Sequence, residues 1–289
     1  MPGWRAAATV VLWTIVGAGG GAPMPALGAG PVSAFTADGG RYYGPLLYGQ
    51  REGHGRVEWG NGARYEGEFR AGLYHGQGRL RLATGEVYEG GFVNGVQTGQ
   101  GRLRMTDGAS YVGTVRDGAF NGRGRYDDGQ GNVYEGQFKA GQFHGRGRST
   151  GAIGVYDGEY VRGQPHGVGE LRHRDGRRYR GAFGRGLFEG KGRLEEPDGT
   201  VYDGEFVGGE LKGQARITAG DGTQYEGEVR GWVPHGQGEL RLANGDVYTG
   251  QFARGEFDGP GVLTYARAQS DGRTHNRGTW VRGRLKPSE

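Results

Sequence analysis

Cysteine is absent from the 289 residues, which excludes disulfide scaffolds, thiol catalysis and cysteine-built metal sites. Proline totals only 10 beside 67 glycines, and the glycines do not recur every third residue, so a collagen-like chain is excluded too. Hydrophobic residues make up 34%, a value that fits disorder if the aromatics are scattered. A dominant charge sign is also missing: 36 basic and 32 acidic residues leave +4, which excludes an overall polyanion binder and any expectation of nucleic acid as partner. After the N-terminal leader no segment is apolar enough to cross a membrane as a helix.

The aromatics are not scattered. Tyr42, Tyr65, Tyr88, Tyr111, Tyr134, Tyr156, Tyr179, Tyr202, Tyr225 and Tyr248 follow one another at 23 residues, with a single step of 22. A fixed period of this length marks a stack of small units, each contacting its neighbours, so function is to be sought on an extended surface.

The N-terminus reads as an export address. Arg5 precedes an apolar run, Ala6 to Val16, and small residues with helix breakers continue to Ala34. Residues 1–34 are therefore expected to be a signal peptide and leader, cleaved after Ala34 or earlier near Ala29, or to anchor the protein if uncleaved. The expected location is outside the cytoplasm, periplasmic or secreted.

Within the unit Tyr65 to Val87, Tyr65, Gly67 and Phe69 alternate with Glu66, Glu68 and Arg70, and Gly78, Leu80 and Leu82 alternate with Arg79 and Arg81. Period two predicts two strands per unit, each with an aromatic or glycine face and a charged face. Ala71 to Gly76 is expected to form the loop between them. Thr84–Gly85, and the equivalent Asn61–Gly62, Asp107–Gly108, Asp198–Gly199, Asp221–Gly222 and Asn244–Gly245, are expected to form primed hairpin turns. The predicted fold is all-β: an elongated antiparallel β-hairpin solenoid in one twisted meander sheet. Residues 35–41 would cap it, 42–270 would hold about ten tandem repeats, and 271–289 would carry a degenerate last repeat and a basic tail. In that last repeat Asn276, Gly278 and Trp280 stand where Tyr, Gly and Phe are expected.

A symmetric loop places Phe69 across from Gly78 and Leu80 across from Gly67, so that phenylalanine rings cover bare glycine. Phe92 with Gly101, Phe138 with Gly147, Phe183 with Gly192 and Phe206 with Ala215 repeat the pattern. The same register sets Glu68 opposite Arg79 and Glu205 opposite Arg216, but Glu159 opposite Glu170 and Glu228 opposite Glu239 break it. Two irregularities stand out: Ser149, Thr150 and Gly151 thin the core of the short repeat, and Trp232, followed by Pro234, takes a loop glycine's place.

His75, His144, His166 and His235 share one loop position, yet neighbouring repeats are offset by roughly 10 Å, too far for one zinc ion. No metal or cofactor is expected. The column Glu66, Glu89, Glu135, Asp157, Asp203 and Glu226 alternates with arginines and reads as a solvated salt-bridge face, not as acid–base pairs. With no partnered nucleophile in view, an enzyme is not expected.

The segments YEGEFRAGLYHGQG, YEGQFKAGQFHGRG and YDGEFVGGELKGQA resemble the MORN family, whose repeats centre on YxGxFxxGxxxGxG. The resemblance runs from Tyr42 to about Gly283. It implies a β-hairpin solenoid used as a binding platform: a scaffold, a homodimer, or a holder of a partner peptide. The expected function is that of a noncatalytic exported scaffold binding a protein through the aromatic and glycine face, at Tyr88, Phe92, Tyr134, Phe138, Tyr179, Phe183, Tyr202, Phe206 and Trp232. The alternative is a peripheral membrane protein whose Arg172, Arg174, Arg177, Arg178 and Arg180 meet anionic phospholipid headgroups.

Overall fold

The computed structural model describes residues 32–287; the leader up to residue 31 lies outside the described residues. The described chain forms strands joined by tight turns, and 23 strands belong to one antiparallel meander, with a separate small ladder pairing Leu46–Leu47 with Gln50–Arg51. Two compact units result. One comprises the chain up to Ala152 together with Tyr160–Gln164, the other Ile153–Glu159 together with the chain from Pro165.

Each repeat contributes a strand of about seven residues and a longer partner, as Arg64–Arg70 and Leu73–Arg81 illustrate. The turn between them is shorter than Ala71 to Gly76: only Ala71 and Gly72 leave the ladder, with φ of 49° and 77°. Two successive residues at positive φ make a primed hairpin turn, whose twist matches that of the strands. Asn94–Gly95, Asp117–Gly118, Ala140–Gly141 and Arg185–Gly186 repeat it.

The turns expected to be primed are of a different kind. At Asp107–Gly108 only the glycine has positive φ, 91°, and Gly108 donates to Met105 while Met105 donates to Ala109. This is a three-residue loop ending in a left-handed glycine. The aspartate is needed for its carboxylate, which accepts the amide of Ala109 at 2.9 Å, as Asp198 does from Thr200 and Asp221 from Thr223.

The symmetric register is also overturned. From the Ala71–Gly72 turn, Phe69 faces Tyr74 and Glu68 faces His75; then the ladder shifts, and Gly67 faces Gly78, Glu66 faces Arg79 and Tyr65 faces Leu80. Gly76, at φ 57°, and Gln77 form the bulge, and the Glu68 carboxylate accepts the Gln77 amide at 2.9 Å. Glu68 is thus held at the bulge, away from Arg79. The same shift sets Phe138 against Phe143, Phe183 against Phe188, Phe92 against Gln97 and Phe206 against Leu211, and places Asp203, not Glu205, opposite Arg216. Glu226 rather than Glu228 faces Glu239, and Glu170 faces Arg180.

The core is the row of tyrosines. Tyr65 lies over two glycines: a Cβ on Gly78 would stand 2.4 Å from its Oη, and one on Gly67 2.7 Å. It is therefore the tyrosine ring, not the phenylalanine, that covers the bare backbone. In the short repeat Ser149 faces Tyr134, and its Oγ accepts the Tyr160 hydroxyl at 2.7 Å, so a hydrogen bond replaces the missing leucine contact. At the C-terminal end Trp280 packs on Tyr248 and Phe257, and Leu285 approaches Gly278 where other repeats place a tyrosine.

Candidate functional site

The aromatic side is built by up to three rings per repeat, as in the repeats that start at Tyr65, Tyr134, Tyr179 and Tyr248. Tyr65 stacks on Tyr74 with centroids 3.8 Å apart, meets Phe69 edge-on at 5.0 Å, and receives Phe92 of the next repeat edge-on at 5.4 Å. Tyr134 with Phe143 and Tyr179 with Phe188 repeat the stack at 3.8 Å. The edge-on contacts suit the ring quadrupole and add about 0.5–1.5 kcal/mol per pair beyond burial. The phenol is satisfied locally: the hydroxyls of Tyr65, Tyr111, Tyr134 and Tyr179 donate to the carbonyls of Glu68, Thr114, Gln137 and Ala182 at 2.7–2.9 Å. Desolvation raises these phenols well above their ordinary range.

Of the residues expected to meet a partner, Tyr88, Phe92, Tyr134, Phe138, Tyr179, Phe183 and Phe206 are at most 4% exposed, their faces occupied by one another. Tyr202 and Trp232 are different. Both are only half-buried. The cause is Ala215, which stands where every other full repeat has glycine: a Cβ on Gly204 would meet the Ala215 methyl and Leu211 at 2.9 Å, whereas at Gly67, Gly90, Gly136 and Gly181 it would meet the tyrosine hydroxyl. The methyl takes the slot, and among the described residues the Tyr202 phenol lacks the carbonyl bond that its counterparts make. In the neighbouring repeat Val229, like Val115 in the repeat of Tyr111, supplies no ring at the strand position where most repeats hold an aromatic one. Trp232 fills part of that space from the turn, edge-on to Tyr202 at 5.4 Å and to Phe206 at 5.8 Å. The Ala215 departure is visible in the sequence, but its effect on Tyr202 requires the true register.

The opposite side is a charge ladder. The second-strand arginine reaches the acid of the next repeat: Arg79 to Glu89 at 2.6 Å, Arg193 to Asp203 at 2.8 Å and Arg216 to Glu226 at 2.7 Å. Between Glu170 and Arg180 the pair persists at 2.8 Å with its signs exchanged. That exchange accounts for Arg180. Glu170 also receives Arg172 and Arg178, and Asp175 receives Arg177 at 2.7 Å. Burial works against ionisation of Glu170, but hydrogen bonds from Arg172, Arg180 and Arg178 outweigh it and hold the carboxyl at about 2. Four of the five arginines proposed for headgroups thus already share carboxylates, while Arg174 is exposed.

Comparison with curated protein sequences gives no match. Among solved structures, the chain is similar to the wild-type TCP10 domain of Danio rerio CPAP, at 15% identity over 75% of this chain and 92% of that one, with a TM-score of 0.34. It is also similar to that domain in complex with a peptide of Danio rerio STIL, at 19% identity over 71% and 96%, with a TM-score of 0.26. A third, the SAS-4 (dCPAP) TCP domain of Drosophila melanogaster in complex with a proline-rich motif of Ana2, matches at 11% identity over 82% and 98%, with a TM-score of 0.17. The family model for the MORN repeat matches ten consecutive segments: 46–64, 65–87, 88–110, 111–133, 134–155, 156–176, 179–201, 202–224, 225–247 and 248–267. The tyrosine row, its paired glycines and these ten matches have one meaning: the chain belongs to the MORN repeat family.

Proposed function

We propose that the protein is a noncatalytic, exported repeat scaffold that holds a protein partner on its aromatic side, with the contact centred on Tyr202 and Trp232. The supporting observation is the opening created by Ala215: the other nine tyrosines of the row are buried, whereas Tyr202 and the Trp232 beside it retain accessible surface, and Tyr202 a free phenol. Large aromatics with one wet edge are the side chains that most often dominate a protein contact. Export is supported by the order of Arg5, the Ala6 to Val16 run and the small residues up to Ala34.

The test is site-specific photocrosslinking in the native compartment, with the reactive group at Trp232 and, as control, at Glu226 on the charged side. The same protein recovered from Trp232 and not from Glu226, and lost in Tyr202→Ala, supports the reading. Equal recovery from both positions rejects it.

A further inference from the structure

On the charged side of the first unit, arginines of the second strands alternate with acids of the first strands: Arg56, Glu66, Arg79, Glu89 and Arg102 face one another in that order. The next acid is missing. Val112 takes its place, with Arg102 opposite on one side and Arg125 on the other, and the alternation then resumes through Glu135 to Arg148. Val112 is 47% exposed.

A second column thins over the same strands. Other repeats carry an acid at the bulge, as Glu68, Glu159, Glu205 and Glu228 do, whereas three successive repeats here hold Gly91, Thr114 and Gln137. The arginines stay: Arg102, Arg123, Arg125, Arg146 and Arg148 are all exposed. Glu89 is held by Arg79 at 2.6 Å and Arg125 reaches Asp127 at 3.4 Å, and among the described residues Arg102, Arg123, Arg146 and Arg148 form no ion pair. In the other unit Arg180, Arg193 and Arg216 each hold a carboxylate at 2.7–2.8 Å.

Solubility does not account for this patch. Charges of either sign at an edge keep a sheet unpaired, whereas like charges gathered on one face repel and oppose folding. Arg123 with Arg125, and Arg146 with Arg148, alternate with one glycine along a strand and so share that face. An arrangement that works against stability, with no local acid to offset it, marks a place where an acid comes from outside.

The spacing specifies that acid. Arg102, Arg125 and Arg148 lie in one column on alternate strands, about 10 Å from one to the next. A polypeptide in the polyproline II conformation has three residues per turn and a rise of about 3.1 Å, so every third side chain points the same way at intervals of about 9.3 Å. A β-strand does not fit, because its side chains alternate and every third one points away.

We propose that this patch binds an acidic segment of another protein, laid across the strands as a polyproline II helix with a carboxylate at every third residue. Successive carboxylates pair with Arg102, Arg125 and Arg148, each guanidinium offering the paired donors that a carboxylate accepts. An apolar side chain between the first two carboxylates covers Val112. Glu135 lies between the last two arginines, and Arg123 and Arg146 beside it keep the local balance positive. The inference is independent of the contact at Tyr202 and Trp232, which concerns the aromatic side of the other unit.

Fluorescence anisotropy of the full chain tests it, with a labelled peptide in which aspartate recurs at every third residue, alanine and proline lying between, and a second peptide of the same composition whose aspartates are contiguous. Each exposed ion pair is worth up to about fivefold in affinity. The spaced peptide is expected to bind about tenfold more tightly than the contiguous one, and Arg102→Gln with Arg125→Gln and Arg148→Gln to weaken it by up to about a hundredfold. Val112→Glu restores the missing acid at an exposed position and is expected to abolish binding while raising the melting temperature slightly. Arg193→Gln with Arg216→Gln, where the column is paired, is expected to bind as the parent does. No binding by the parent, equal affinity for the two peptides, or undiminished binding by a folded Val112→Glu protein overturns the proposal. Stronger binding of polygalacturonate or of phosphatidylserine vesicles, abolished by Val112→Glu, overturns it in favour of that anion.

Discussion

Trp232 stands edge-on to Tyr202, ring centroids 5.4 Å apart and planes at 85°. It reaches that place from a turn position at φ 74°, where a bulky side chain is strained and glycine is usual. The strand position holds Val229 and offers no ring, and here one comes from the turn. The Ala215 methyl therefore opens the aromatic side at one point, next to Val229, and Trp232 only half closes it.

Replacing Ala215 by glycine is expected to return the Tyr202 ring to its slot over Gly204, with its hydroxyl on the Glu205 carbonyl. Nitration of Tyr202 should fall and the emission of Trp232 should change as its edge contact is lost. Unaltered nitration would show that the methyl is not what displaces the ring.

Phe138→Ala is expected to destabilise the protein by about 3–5 kcal/mol, because Phe138 contacts Tyr111, Phe120, Tyr134 and Phe143 and is 4% exposed. Glu135→Ala removes an exposed carboxylate on the charged side and is expected to cost at most about 1 kcal/mol. Paired denaturant melts measure the difference, and equal shifts would mean that the ring contributes nothing beyond its surface.

Alkaline unfolding should be cooperative. Desolvation pushes the Tyr225 phenol up to about 12 and raises Tyr65, Tyr88, Tyr134 and Tyr179 above their ordinary value. A phenol whose folded pKa exceeds its unfolded value stabilises fully below about pH 10, and that contribution is lost as pH rises through the folded value. Phenolate absorbance and circular dichroism should accordingly change together above pH 10. Phenolate formation that is complete while the strand signal stays intact would contradict the burial of the row.

Glu170→Gln removes the carboxylate shared by Arg172, Arg178 and Arg180. Since the folded pKa is depressed to about 2, the charge contributes above the usual carboxylate range and is lost as pH falls through about 2. The expected melting difference is small at neutral pH, within about 1 kcal/mol for an exposed cluster, and absent near pH 2. A difference that persists in acid would assign the effect to packing.

The purified native protein is expected to lack its first 29 to 34 residues and to fractionate outside the cytoplasm, given Arg5 and the run that follows it. Intact-mass analysis decides this. An N-terminus at Met1 or Pro2 with cytosolic fractionation would exclude export.

The period, the two strands per unit and the assignment of Tyr65, Phe69 and Leu80 to one side were open to reading from the sequence, because a strand turns successive side chains to opposite sides and a 23-residue repeat states that pattern ten times. What the sequence left undecided was register. Nothing in the order of Glu68, Ala71, Gly72 and Gly76 announces that two residues form the turn and two others form a bulge, since glycine at positive φ suits both.

From that single ambiguity the other differences follow. Once the bulge shifts the ladder, Gly67 meets Gly78, tyrosine rather than phenylalanine covers them, and Glu66 rather than Glu68 takes Arg79. The sequence by itself determined a stack of β-hairpins with an aromatic and a charged side, since alternation and repetition are local properties of the chain. Only the tertiary structure decided that the Ala215 methyl takes the slot of the Tyr202 ring and that Glu170 gathers Arg172, Arg178 and Arg180. Each of these depends on which residues of neighbouring strands stand opposite one another, and that pairing is set by turn and bulge geometry across the sheet, not by residue order.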